Sequence, residues 1–364
     1  MTSASTILLF AQVVLLFHDL PQATAVSPSS PSVSIHPTDL GCPPALDIDP
    51  CVCTVDGATA DINMDCSDLI DNDQLKKVFE ADFLFPDLNK LVIQGTTGRV
   101  GIRKLEADTF GKVSFKHITI SYTELNTVEA SAFANSFPTI QTMEVTDNLF
   151  EFFPFEILAE CEKLETLYVQ NNMLKHVSVL HSNSLTHFDA SGNSDLKYED
   201  EIFQTAPMLA TINLSNIGLG HIAPLTFAYQ QRLSSLELQN NNIDYLYENA
   251  LKFMSSSVIS LNLDNNRIGT VESNAITGMQ SGSTLQLKGN MLTDLPQNVW
   301  ENVFISLKGD NTIEMDDNLI DCACNIKWLV SNNDYLTTLS EGKECDDKTS
   351  IHDPALINFI NQHC

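Results

Sequence analysis

Apolar residues between Leu233 and Val271 follow one pattern twice. Leu233, Leu236, Leu238, Asn241, Ile243 and Leu246 are answered by Val258, Leu261, Leu263, Asn266, Ile268 and Val271, with 25 residues separating Asn241 from Asn266. Leu236 and Leu238 alternate with Ser235, Glu237 and Gln239, which predicts a short strand with its leucines inward and its polar residues outward. The asparagine falls where the strand ends and the chain turns. Its carboxamide offers donors and an acceptor, so it can satisfy backbone groups of adjacent turns that no other side chain reaches. One turn cannot bury its apolar side alone, and the pattern therefore predicts a stack of turns.

The spelling LxxLxLxxNxL at this period resembles a leucine-rich repeat of the extracellular length. About ten turns can be placed between residues 88 and 318. Leu88, Leu91 and Ile93 open the first. Phe115, Ile118, Ile120 and Leu125 form the second, with Thr123 at the asparagine position. Ile140, Met143, Val145 and Asn148 form the third; Leu164, Leu167, Val169 and Asn172 the fourth; Leu185, Phe188, Ala190 and Asn193 the fifth. The sixth has Leu209, Ile212 and Leu214, with Ile217 in place of asparagine. Leu285, Leu287, Asn290 and Leu292 follow the two turns described first, and Ile313, Met315 and Asn318 complete the array. The expected ladder is thus Asn148, Asn172, Asn193, Asn241, Asn266, Asn290 and Asn318. Its positions step by 24 or 25, apart from 21 at the fifth turn and 28 at the last. Midway between strands stand Phe110, Phe133, Phe203, Phe227, Leu251, Ile276 and Trp300, expected to fill the wide side of each turn. The expected fold is an α/β leucine-rich-repeat solenoid, a parallel concave sheet with a disulfide cap at each end.

The ends of the chain carry the cysteines. Residues 1–25 have the form of a secretory signal: the apolar run Ile7–Phe17, then Ala23-Thr24-Ala25 as a small-residue cleavage site, although no Lys or Arg precedes the run. Residues 26–41 are a Ser/Pro-rich leader that cannot bury a core. An N-terminal cap is expected over 42–87, with Cys42, Cys51, Cys53 and Cys66. A C-terminal cap is expected over 319–364, with Cys322, Cys324, Cys345 and Cys364. Such clusters in a secreted chain read as disulfide frameworks, but four cysteines allow three pairings and spacing does not choose among them. Neither cluster has the second close pair or histidine pair that zinc requires. Beyond the signal no run reaches membrane-spanning length, so the mature chain is expected to be secreted and extracellular.

Asp317-Asn318-Leu319-Ile320-Asp321-Cys322-Ala323-Cys324 with Trp328-Leu329, and Cys42-Pro43 through Cys51-Val52-Cys53 to Cys66, resemble the caps of secreted leucine-rich-repeat proteins. That resemblance implies pairing of first cysteine with third and second with fourth: Cys42–Cys53, Cys51–Cys66, Cys322–Cys345 and Cys324–Cys364. Asp65-Cys66-Ser67, Phe153-Pro154-Phe155, Leu295-Pro296-Gln297-Asn298-Val299-Trp300 and Asp321-Cys322-Ala323-Cys324-Asn325-Ile326-Lys327-Trp328-Leu329-Val330 are similar to one narrower group. These are the secreted arthropod proteins resembling the non-catalytic, leucine-rich subunit of oplophorid shrimp luciferase. The resemblance implies a chain that accompanies and stabilises a small, separate catalytic chain; it implies architecture more firmly than luminescence.

Charge narrows the partners. With 47 Asp and Glu against 19 Lys and Arg, the net charge is -28. That field argues against nucleic acid and anionic membranes and favours a basic protein partner, such as a small basic or catalytic secreted chain. The concave face is the expected docking surface, because the fold does not use its outward side chains. Between the strand leucines lie Thr119, Glu144, Tyr168, Asp189, Asn213, Glu237, Asn262, Gln286 and Glu314; beside them lie Thr146, Gln170, Ser191, Gln239, Asp264, Lys288 and Asp316. The partner-binding set expected from these is Glu144, Tyr168, Gln170, Asp189, Glu237, Gln239, Asp264 and Glu314.

Three features stand apart. Asn213-Leu214-Ser215 is the only glycosylation sequon, and the register puts Asn213 in the middle of that face. Cys161 is the one cysteine outside the clusters, read as a buried free thiol, with a disulfide to a partner chain as the alternative. The acidic run Asp56, Asp61, Asp65, Asp68, Asp71 and Asp73 lacks the glycine and bidentate glutamate of a calcium loop. Catalysis, a metal and a cofactor are not expected: HExxH, GxSxG and a phosphate-binding loop are all missing. His181 beside Ser182, and His187 near Asp189, come with no oxyanion site. Two functions follow as expectations. One is a non-catalytic subunit that stabilises a partner; the other is a soluble pattern-recognition or cell-surface-ligand receptor of innate immunity.

Overall fold

The computed structural model describes residues 41–257, 259–310 and 312–364. The expected signal peptide, the leader up to residue 40 and Val258 lie outside the described residues. Twelve strands form one sheet in sequence order. They are β1 Val52–Val55, β2 Ile62–Asp65, β3 Asp87–Gln94, β4 Ser114–Ser121, β5 Thr142–Thr146 and β6 Thr166–Tyr168. Then follow β7 His187–Asp189, β8 Thr211–Asn213, β9 Ser235–Glu237, β10 Ser260–Asn262, β11 Thr284–Gln286 and β12 Ile313–Glu314. The β1–β2 pair is antiparallel, and every later pair is parallel. Strands β3 to β12 are the strands of the ten repeat turns.

Parallel pairing without slippage stacks like on like. Leu91, Ile118, Met143, Leu167, Phe188, Ile212, Leu236, Leu261, Leu285 and Ile313 form one register line, and each is buried. A one-residue slip in any strand would turn its leucines to solvent. The wide side is filled by aromatic rings: Phe110 stacks on Phe133 and Phe203 on Phe227, both at 5.7 Å between centroids. A contiguous core runs from Ile48 to Ile360.

Where a turn carries the asparagine, that side chain joins it to the turn before. Asn241 Nδ2 donates to the carbonyls of Leu214 and Leu238, both at 2.9 Å. Its Oδ1 accepts the amides of Ile217 and Leu219, both at 3.0 Å. Asn266 repeats the arrangement on Leu238 and Ile243, Asn290 on Leu263 and Ile268, and Asn318 on Leu287 and Leu292. At the second turn Thr123 Oγ1 donates to Asn148 Oδ1 at 2.8 Å, which keeps the ladder continuous there.

The residue before each ladder position is in the left-handed region. Asp147, Asn171, Asn216, Asn240, Asn265 and Asp317 have φ between 55° and 58°, with Gly192 at 68° and Gly289 at 63°. Glycine tolerates that region because it has no Cβ, and asparagine and aspartate because their short polar side chains bond locally. Tyr122, at φ 53°, is the exception.

The caps close the two ends unequally. Towards the C-terminus stand α1 Gln297–Ser306, α2 Lys327–Val330, α3 Asn333–Thr338 and α4 Pro354–His363, packed on one another. Thr312 donates its amide to Thr338 O at 2.9 Å and Ser340 donates to Ile313 O at 2.8 Å, so the last strand edge is covered. Trp328 Nε1 reaches Leu295 O at 2.9 Å. Disulfides join Cys42 to Cys53, Cys51 to Cys66, Cys322 to Cys345 and Cys324 to Cys364. Among the described residues no helix is long and apolar enough to cross a membrane.

Candidate binding face

The outward face of the sheet carries three parallel rows of side chains. The central row pairs Thr119, Glu144, Tyr168, Asp189, Asn213, Glu237, Asn262, Gln286 and Glu314 in consecutive register. All are half-buried by their neighbours rather than free in solvent. On one side runs the row with Thr146, Gln170, Ser191, Gln239, Asp264, Lys288 and Asp316. On the other side is a row that the sequence reading passed over: Thr142, Thr166, Thr211, Ser235, Ser260 and Thr284, with His117 and His187. Its signal was the Ser or Thr immediately before the second leucine of most repeats. The face is therefore a strip rich in hydroxyls beside a strip that holds the acids.

The acids are tied into the sheet. Asp189 Oδ2 accepts Asn213 Nδ2 at 2.9 Å, while its Oδ1 accepts the amide and hydroxyl of Ser191 at 2.8 and 2.6 Å. Glu144 Oε2 accepts Thr119 Oγ1 at 3.3 Å, and Glu237 Oε1 accepts Ser235 Oγ at 3.0 Å. Partial burial, and then the charges of Asp189 and Glu144, push the Tyr168 phenol above its ordinary value. Burial raises the Asp264 carboxyl, with Glu314 and Glu237 adding to the shift; the amide of Lys288, 2.7 Å from Oδ1, works against it. Asp264, Glu237 and Glu314 thus share one field, with Lys288 Nζ 4.0 Å from Glu314 as the nearest cation. At the opposite end burial, then Lys90 and Lys116, depress the His117 imidazole.

Other singled-out residues lie apart from this face or are held by local structure. Cys161 is unpaired and fully buried, and burial, then the Glu160 charge, pushes its thiol up to about 12. It precedes its strand where other turns place buried Ser136, Ser182 and Ser255, a seam role for a small side chain. His181 Nδ1 meets Thr205 Oγ1 at 3.0 Å rather than Ser182, and His187 Nδ1 meets Thr186 Oγ1 at 2.8 Å rather than Asp189. Asp56 accepts the amides of Ala58 and Thr59, and Asp71 accepts that of Gln74; these acids fasten turns. Among the described residues no group of three or more His, Cys, Asp or Glu side chains could hold a metal ion.

Ten in-register turns with an asparagine ladder define a leucine-rich-repeat solenoid. The chain belongs to the BspA type leucine rich repeat region family, which matches residues 87–196 and 196–317 in six copies. It is 27% identical over 326 residues, 89% of each chain, to the Oplophorus-luciferin 2-monooxygenase non-catalytic subunit of Oplophorus gracilirostris. Its fold is also that of a chain in an octameric complex of Latrophilin 3 (Lec, Olf), Unc5D (Ig, Ig2, TSP1) and FLRT2 (LRR). There the TM-score is 0.55 at 17% identity, over 73% of this chain and 77% of that one. The APL1 leucine-rich repeat domain is similar at a TM-score of 0.48 and 20% identity, over 64% of this chain, which spans 56% of that structure.

Proposed function

We propose that this protein is a secreted, non-catalytic binding subunit that stabilises a basic protein partner docked on the outward face of its sheet. The observation that carries the reading is the charged strip itself. Glu237 and Glu314 sit on turns near Asp264, and their charges add to the burial that raises the Asp264 carboxyl. A fold does not gain from that repulsion, whereas a cationic partner would relieve it. A partner that binds only the folded solenoid also stabilises it, and is stabilised in return, by mass action. The relation to a non-catalytic luciferase subunit supports a chain that works through another.

The test is size-exclusion chromatography with light scattering on protein from its native source, with the peak identified by mass spectrometry. A second chain in fixed stoichiometry is the expected result, and Asp264→Lys with Glu237→Lys should release it. A lone species of one chain's mass would overturn the subunit reading and leave the recognition-receptor alternative.

A further inference from the structure

The two ends of the sheet differ in a way that the capping role does not require. Beyond β12 the C-terminal cap supplies backbone partners. Beyond β1, among the described residues, no backbone hydrogen bond reaches the outer edge. Asp56 donates its amide to Asp61 O at 2.9 Å, and bonded pairs alternate along an antiparallel ladder. Val52 and Thr54 therefore bond inward to Asp65 and Asn63, and the N–H and C=O of Cys53 and Val55 point outward. Val52 is 57% exposed, and the strand lacks the lysine or proline that usually blunts an edge. Two disulfides, through Cys53 and through Cys51 beside it, hold the strand in place.

Two further features say what would pair there. Residues 42–75 hold eight Asp and neither Lys nor Arg. Amide hydrogen bonds from Thr59 and Ala58 keep the Asp56 carboxyl below its ordinary range, hence ionised. Next to Val55 lies a mostly apolar cavity of about 410 Å³ lined by Gly41, Val55, Ala60, Ile62, Phe85 and Pro86, with the acids Asp61 and Asp87 also in its wall. Lys116, 3.7 Å from Asp61, offsets one of these two carboxylates.

We propose that the outer edge of β1 takes up an extended, lysine- or arginine-bearing segment of another protein as an added antiparallel strand, with an apolar side chain at the segment's leading end in the cavity. Main-chain bonds to Cys53 and Val55 supply affinity, and the cavity and aspartates supply choice. A second copy of this chain does not fit the edge, because it would bring the same eight carboxylates against their own kind. The site is separate from the sheet face, so it stands or falls independently of the proposed subunit role.

The test leaves the protein unaltered. A short synthetic peptide alternating lysine with valine is compared with a copy N-methylated at two adjacent central residues. The copy keeps the charge but loses a donor from either edge. Binding is read by fluorescence anisotropy, and the contact by amide hydrogen exchange. The expected result is at least ~10-fold weaker binding of the methylated copy, with new protection of the Cys53 and Val55 amides. Equal affinity of the two peptides, protection confined to the sheet face, or no binding at all would each overturn the proposal.

Discussion

Asn213 donates to the carboxylate of Asp189 on the neighbouring strand at 2.9 Å, and its own Oδ1 accepts the amide of Ser215 at 3.0 Å. The acceptor nitrogen of the only sequon is thus already engaged, on a half-buried side chain in the middle of the sheet. The secreted protein is expected to carry no glycan here. Treatment with peptide-N-glycosidase should leave the intact mass unchanged; a mass loss would block the docking face and count against the proposed function.

Asn241 serves four buried backbone groups from one side chain. Asn241→Ala would leave Leu214 O, Leu238 O, Ile217 N and Leu219 N without it. With each orphaned group costing about 1–3 kcal/mol, a loss of at least ~3 kcal/mol is expected in urea unfolding. A change under ~1 kcal/mol would mean that water or a shifted backbone replaces the ladder.

Cys161 has no solvent-accessible surface and a thiol pushed up to about 12. The native chain should not react with iodoacetamide at neutral pH, while one thiol per chain should react in denaturant. Reductant should likewise leave any complex intact. Release of a partner by reductant would show that this turn opens.

Glu344 is fully buried, and one of its oxygens lacks a partner among the described residues. Burial raises its carboxyl above the ordinary 4.5, with the amide of Ile351 opposing. A carboxyl raised on folding contributes stability that is fully present below the unfolded value and is lost as pH rises through the folded one. The protein should therefore lose stability from this group as pH rises above 4.5. Glu344→Gln should remove that slope and raise stability at pH 7 by roughly 1 kcal/mol. Thermal melts of both proteins across pH check it, and parallel curves would exclude this assignment.

The sequence showed most clearly what neighbouring turns share. Inward leucines and asparagines recur because every turn meets the same surroundings, and that repetition set the strands, their register and the outward rows. The left-handed position was also spelled out, in Asn171-Asn172, Asn240-Asn241 and Asn265-Asn266, but only backbone angles separate its demand from that of the ladder beside it. Tyr122 shows the limit, since its identity predicts no such conformation. Cysteine pairing was not contained in the spacing, because three-dimensional proximity decides it. Glu344 reads as one more solvated acid until the cap closes over it.

The direction of the asparagine bonds has a consequence for a chain made from its N-terminus. Asn318 serves Leu287 and Leu292 of the preceding turn, as Asn290 serves Leu263 and Ile268. A turn newly released from the ribosome thus waits for the next to complete its bonding. The last turn waits for Thr338 and Ser340 of the cap. A chain cut short anywhere within the array would always end in an unfinished turn, marked by its unfilled carbonyls and amides as incomplete.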